Sequence, residues 1–363
     1  MILRKTIALL CAGVMLAACG DNDKNAQETE SVRLVPLAEI FDGYEALQGK
    51  GYGQFVLPGE IEKSEIGAAF ELGCISPKNS IPDSTVKEIY RAFFNDSYSE
   101  ENLSTDEHGG ILYKAGENLS AYWGMDISLY SEEQTAAEAF SAKYDAFHNR
   151  DDTVSFCGKS YTVKVLADKI SSELDSVIAP AYRDYTIRTE SVGIGTDGDV
   201  DFSCSLSKDG IPFQYVSSAY LKNNVNGEMV YWSFSSLSGI YGEKGFKVIN
   251  TPALNVISES RELKELVPLA GAVEILEREL AEYIDLDFSD VRLMYCCLTA
   301  QPVIDRTDAG NEQEAERLTE EYNRKTKKYV PMWCFEIKSD REDTAKSYVK
   351  VNAVTGELYM DIK

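Results

Sequence analysis

Asp199-Val200-Asp201-Phe202-Ser203-Cys204-Ser205-Leu206-Ser207-Lys208-Asp209-Gly210-Ile211-Pro212-Phe213 decides the class of fold. Apolar residues at every second position over 199–206 read as a strand. Lys208-Asp209-Gly210 follows as a turn, since aspartate and glycine tolerate the backbone conformations a turn requires. A further strand is expected over 213–220. On the N-terminal side, 161–166 and 182–189 also read as strands. On the C-terminal side, Asn226-Gly227 sits between 219–225 and 228–234, a hairpin signal because both turn residues accept positive φ. The middle of the chain is therefore read as antiparallel sheet.

Helices are expected around it. Leu37, Ile40, Phe41, Tyr44 and Leu47 fall at three- and four-residue spacing and predict a short amphipathic helix, and 52–57 and 66–76 are strand-like around Pro58-Gly59. Val86, Ile89, Tyr90, Phe93 and Phe94 give one face of a helix over 83–95, capped by Asp83 or Ser84. A hairpin is expected over 111–114 and 119–123. Ser131 with Gln134 resembles a capping box, opening a helix to about 149 with Ala137, Phe140, Tyr144 and Phe147 as its stripe. Residues 259–267 read as a charged helical connector, and Pro268 as the start of a helix to 285. Strands follow over 290–298, 329–338 and 347–354. Thr355-Gly356-Glu357 turns into a last strand, and 305–328 is an exposed insertion. The expected fold class is α+β, antiparallel sheets packed with a few amphipathic helices, in two modules, 34–262 and 263–363.

The start of the chain reads as an address. Arg4 and Lys5 precede an apolar run over 6–16, and Leu16-Ala17-Ala18-Cys19 closes it, the layout of a lipoprotein signal over 1–18. That run is too short to span a bilayer as a helix, which takes roughly 20 apolar residues. Cleavage before Cys19 leaves its thiol to carry a diacylglycerol, and two or more acyl chains anchor stably where one does not. Residues 19–33 read as a flexible polar tether. The expected location is the extracytoplasmic face of the cell membrane, with the lipid as the only anchor.

Charge excludes one class of partner. The net charge is −24, and removing residues 1–18 takes two basic residues and no acidic one, giving −26. Such a surface repels nucleic acid and anionic head groups, so no nucleic-acid partner is expected. Six cysteines remain beyond the signal and Cys19: Cys74, Cys157, Cys204, Cys296, Cys297 and Cys334. Their sparse spacing leaves the pairing open, and free, buried thiols are expected for most of them.

The C-terminal residues carry a resemblance. Val330-Pro331-Met332-Trp333-Cys334-Phe335-Glu336-Ile337 and Tyr348-Val349-Lys350-Val351-Asn352-Ala353-Val354-Thr355-Gly356-Glu357-Leu358 resemble the close of PepSY-type and related sensor-regulator modules of bacterial extracytoplasmic proteins. With the lipoprotein signal, the chain looks like the uncharacterised lipoproteins of clostridial bacteria. The resemblance implies a module that binds or restrains other envelope proteins, such as proteases and sensor kinases. It carries over no catalytic or ligand residue. Fold does not fix function.

Chemistry is sparsely signalled. His108 and His148 are the only histidines, His108 in a glycine-rich loop and His148 at an expected helix end, and no Gly-x-Ser-x-Gly elbow accompanies them. No HExxH or CxxC spacing offers zinc a site. Gly193-Ile194-Gly195-Thr196-Asp197-Gly198 spells a dinucleotide fingerprint, but a strand is expected after it where that site needs a helix. Asp197, Asp199 and Asp201 open like a calcium loop, yet Phe202 and Lys208 stand where glycine and glutamate are required. No catalytic residue, metal or cofactor is assigned; the one site residue is Cys19, for lipidation. The expectation is a non-catalytic binding or regulatory partner of envelope proteins. The alternative is a lipoprotein that captures a sugar, peptide or cation for a transporter.

Overall fold

The computed structural model describes residues 32–74, 82–105, 110–115, 118–122, 127–131, 140–214, 222–223, 229–230, 237–251, 257–281, 286–298, 328–339 and 347–361. Residues Arg33–Lys363 form one unit. The mixed α+β class holds, and among the described residues the named strands pair antiparallel except β21 with β3, with one isolated parallel bridge besides, Phe213 to Tyr295.

The larger sheet has ten strands. Its path runs β5 (Leu103–Thr105), β6 (Ile111–Ala115), β7 (Asn118–Tyr122), β8 (Ile127–Tyr130), β18 (Gly245–Asn250), β17 (Leu237–Gly242), β13 (Val200–Lys208), β12 (Thr186–Gly195) and β9 (Phe140–Asp145). β14 (Ile211–Pro212) folds back on β13. Asp209 at φ 51° and Gly210 at φ 88° make the turn between them, as the Asp-Gly pair leads one to expect. Two helices cover one face, α1 (Asp83–Phe94) and α2 (Val163–Tyr182). Val86, Ile89, Tyr90 and Phe94 of α1, and Leu166, Ile170, Leu174, Ile178 and Tyr182 of α2, are buried against Val192, Phe202, Leu237 and Ile249 of the strands. The buried positions of α2 recur at three and four residues, and side-chain hydrogen bonds between Ser171 and Thr189, and between Tyr241 and both Lys169 and Glu173, add to this face in holding the helix on the sheet.

The second sheet has eight strands. Its path is β19 (Ile257–Leu263), β4 (Ala69–Cys74), β22 (Lys328–Ile337), β21 (Leu286–Leu298), β3 (Phe55–Val56) and β2 (Gly51–Tyr52), with β23 (Ser347–Asn352) beside β22 and β24 (Leu358–Asp361) beside β23. Only β21 with β3 is parallel. α3 (Leu269–Glu279) packs near β23 and β24 with Leu269, Ala272, Val273 and Leu276 buried. Trp333 is fully buried, its indole N–H donating to the Val267 carbonyl at 2.8 Å and its ring meeting Phe41 edge-on at 5.2 Å. Three two-stranded pieces complete the list: β1 (Val35–Pro36) with β20 (Glu265–Leu266), β10 (Thr153–Phe156) with β11 (Lys159–Thr162), and β15 (Lys222–Asn223) with β16 (Met229–Val230). The last pair brackets Asn226-Gly227, which itself lies outside the described residues.

Several expected elements take other forms. The helix read over 37–47 is two 3-10 turns, Leu37–Glu39 and Tyr44–Ala46, interrupted by Gly43 at φ 75°; Ile40 and Phe41 are nonetheless core. The helix read from Ser131 to 149 contains strand β9, because Ser191 to Gly195 of β12 supply a pairing edge. The strand read over 161–166 ends at Thr162, whose hydroxyl accepts from the Val165 amide and caps α2. The charged connector at 259–267 is strand, β19 on β4, with Arg261 and Glu71 side by side. Asp83 and Ser84 give α1 no side-chain cap. The division read at 262/263 falls inside β19, just before its last residue Leu263, and β4 from before it shares a sheet with β21 to β24 from after it. The signal, Cys19, most of the tether, His108 and the insertion at 305–327 lie outside the described residues.

Candidate functional site

Where the two large sheets meet, charge is concentrated. β12 contributes Arg188 and Glu190, β21 contributes Asp290 and Arg292, and the coil between β3 and β4 contributes Glu62. Arg292 Nη1 lies 2.5 Å from Glu190 Oε2, and its Nε lies 2.6 Å from Asp290 Oδ2. Ser205 on β13 donates to the other oxygen of Glu190 at 2.6 Å. Arg188 is gripped by both oxygens of Glu62, at 2.5 and 3.1 Å, and lies 3.9 Å from Glu190. A planar guanidinium suits such two-point pairing, where a lysine would offer only a point charge.

The ladder of the strands places these groups. Arg188 and Glu190, two positions apart on β12, share a face by alternation, with a bulge between Thr189 and Ser191, and Asp290 and Arg292 likewise alternate onto one face of β21. Next to them, Glu336 accepts from Tyr348 at 3.2 Å and from Ser289 at 3.3 Å. Lys350 is fully buried on β23, in register with Cys334 on one side and Tyr359 on the other. This face of the eight-stranded sheet thus joins buried charge to a small apolar cluster of Cys296, Val330, Met332, Cys334, Tyr348 and Tyr359, opposite the face of Trp333 and Phe335.

Electrostatics fix the protonation states. Burial pushes the Glu190 carboxyl up, but Arg292 and Arg188, with the Ser205 hydroxyl, outweigh it and hold it below the usual carboxylate range. Burial works against the charge on Arg292, and Glu190 and Asp290 outweigh that too, raising its pKa well above the ordinary value. Burial first, then Glu336, pushes the Tyr348 phenol well up. A general acid needs a carboxyl raised toward neutrality. Glu190 is shifted the opposite way, so it is held as a carboxylate between Arg292, Arg188 and Ser205.

The residues singled out by sequence are scattered. Gly195 and Gly198 belong to the turn of the β12–β13 hairpin, where the Gly195 amide donates to the Asp199 carbonyl at 2.8 Å, and a strand follows. Asp197 receives the Asp199 amide at 3.0 Å, and Asp199 pairs with Lys247 at 2.6 Å. Asp201 sits partly buried on β13, its carboxyl raised by burial against a smaller opposing effect of Lys143. Among the described residues no group of three His, Cys, Asp or Glu side chains is arranged to hold a metal ion. His148 is exposed beside Phe147. Cys157, Cys204, Cys296 and Cys334 are free thiols, all buried except Cys157. Burial pushes the Cys204 thiol to about 12. Cys296 donates to Gln214 at 3.1 Å and its sulfur lies 3.5 Å from that of Cys334. Cys19 lies outside the described residues, as do the side chains of Cys74 and Cys297. The charge cluster itself was missed from sequence, because its members come from three distant segments and no local spacing joins them.

No family model and no curated protein matches the chain. Among solved structures, it is similar to an uncharacterized protein from Eubacterium rectale ATCC 33656, with a TM-score of 0.53 and 13% identity, over 85% of this chain and 91% of that chain. At that identity the likeness shows a shared fold.

Proposed function

We propose that the chain is a lipid-anchored extracytoplasmic protein that acts as a non-catalytic binding or regulatory partner of other cell-envelope proteins. The observation that carries this reading is Leu16-Ala17-Ala18-Cys19 behind a basic and then an apolar stretch, with fourteen polar-rich residues, 20–33, between Cys19 and the folded unit. The resemblance of 330–337 and 348–358 to sensor-regulator modules supports the partner role. The strongly acidic surface supports solution beside a membrane over adsorption to it.

Two measurements on intact cells test the reading together. A clickable fatty acid should label the wild-type chain and not Cys19→Ser, and the variant should leave the membrane fraction. Cross-linking followed by mass spectrometry should then recover a reproducible set of envelope proteins that the untethered variant loses. Unlabelled protein, or membrane association untouched by Cys19→Ser, refutes the anchor. Labelled protein with no reproducible cross-link refutes the partner role. Deleting 263–363 is not a usable control, because β4 and β19 would lose the sheet they complete.

A further inference from the structure

Between β3 and β4, residues 57–68 cross the junction of the two sheets with no helix or strand. Their backbone hydrogen bonds lie at the ends: the Leu57 amide to Lys50 at 3.1 Å, the Pro58 carbonyl from Gly49 at 2.8 Å, and the Gly67 amide to Asp209 at 3.0 Å. Among the described residues, 59–66 make no backbone hydrogen bond. Side chains hold this stretch instead. Ile61 is buried, Glu60 pairs with Arg150 at 2.8 Å, and Glu62 grips Arg188. Both clamps run from a glutamate on the coil to an arginine of the ten-stranded sheet or its adjoining loop. The outer pair is well exposed, and the Arg188 side chain is 40% exposed against 11% for Arg292 beneath it.

A segment with one buried apolar anchor and no backbone ladder belongs to the low-stability end of a fold. We propose that residues 59–66 are a detachable strap, and that Glu62 is its latch, holding the half-exposed Arg188 guanidinium in a two-point ion pair until the strap lifts as a unit. Arg292, Glu190 and Asp290 stay in place when it does, because β12 and β21 hold them. The strap thus occupies the ion-pairing edge of Arg188, the more exposed arginine of the cluster. This inference is independent of the lipid anchor.

Salt discriminates this device from general loosening. Raising ionic strength from about 0.01 M to about 1 M shortens the screening length from roughly 30 Å to 3 Å. It weakens the two clamps, while for the whole chain it relieves the repulsion of a large net negative charge and so tightens the fold. The full-length protein is labelled with phenylglyoxal, which modifies free guanidinium groups, and each arginine is read by peptide mass spectrometry. Arg188 should label several-fold faster at high salt, with Arg292 slow at both. Glu62→Gln should label fast at Arg188 at either salt, and Glu60→Gln, which removes only the outer clamp, should raise the low-salt rate. The proposal is overturned if Arg188 labels as slowly as Arg292 under all conditions, or if the two rise together. Should Glu62→Gln fail to fold, wild type and Glu60→Gln give the same decision.

Discussion

Arg292 on β21 and Glu190 on β12 stand 102 positions apart in the chain, and their 2.5 Å ion pair joins the eight-stranded to the ten-stranded sheet. Apolar contact joins them as well: Phe213 makes a parallel bridge to Tyr295, and its ring lies 5.1 Å from that of Tyr295 and 5.2 Å from that of Tyr329. The hydrophobic contact supplies attraction without direction. The ion pairs set which residue of one sheet faces which residue of the other.

Removing one partner of a buried pair leaves a charge without compensation, at a cost of about 3–5 kcal/mol. Arg292→Met should therefore lower unfolding stability by about that amount in urea titration, since it takes the nearest guanidinium from both Asp290 and Glu190 and leaves Glu190 to Ser205 and to Arg188 at 3.9 Å. Replacing Glu190 by Met in addition should recover part of the loss, because one of the two carboxylates that lost it is then gone. A double variant as destabilised as the sum of the singles would show that the pair contributes no coupling.

Acid should weaken the fold through a few identifiable carboxylates. The Glu71 carboxyl is lowered first by the hydrogen bond from Lys328, with Arg261 adding to it. For Glu190 and Glu173 burial is the largest influence and raises them, but Arg292 and Arg188 in one case, and Lys169 and Tyr241 in the other, outweigh it. A folded pKa below the unfolded value, about 4.3 for glutamate, means that the unfolded chain binds more protons in between. The stabilisation is present above that value and is lost as pH falls through the lowered folded values. Asp201, raised by burial, acts in the opposite sense. The urea midpoint should fall steadily below about pH 4.5, and Glu190→Gln should flatten that fall. A midpoint independent of pH over this range would contradict the assignment.

Gly210 and Gly198 both sit at left-handed φ, 88° and 87°, but only Gly210 has backbone over it, the Glu65 carbonyl of the strap. An alanine at Gly198 meets nothing within 4 Å, so Gly198→Ala should cost only the left-handed penalty of about 1 kcal/mol. Gly210→Ala adds a collision with backbone and should cost roughly 1–3 kcal/mol more. Equal losses in the two variants would mean that the strap yields freely at Glu65.

The parts of the fold that sequence showed are those whose contacts are close in the chain. β13 with its Asp-Gly turn, the β6–β7 hairpin and the run β22, β23, β24 each pair with a sequence neighbour or the next strand along, and the alternation of Trp333, Phe335 and Ile337 needs no distant partner to be read. α2 was missed because Tyr161 to Leu166 alternates like a strand before the three- and four-residue period of Leu166, Ile170, Leu174 and Ile178 takes over. Phe140, Tyr144 and Phe147 keep helical spacing, and the edge offered by β12 overrides it to make β9. The charge cluster was invisible because glutamate and arginine in strands read as solvated positions until the second sheet is laid over them. The expectation for Cys19 rests on local spacing alone, and the residue lies outside the described ones.

Trp333 closes the aromatic face, and its replacement separates packing from hydrogen bonding. Its ring is fully buried against Phe41, and its indole N–H is donated to the Val267 carbonyl in the segment that leads into α3. Trp333→Phe keeps an aromatic ring but leaves that carbonyl without this donor and opens space beside it, at a cost of about 1–3 kcal/mol for the unsatisfied group with a smaller cavity contribution. Phe41→Leu removes the edge-on ring contact and leaves the hydrogen bond, so it should cost less, about 1 kcal/mol. Both are read by urea unfolding followed by far-ultraviolet circular dichroism, which does not depend on the tryptophan itself. If Phe41→Leu proves the costlier change, the aromatic contact and not the Val267 hydrogen bond is what holds 37–47 and α3 to the sheet.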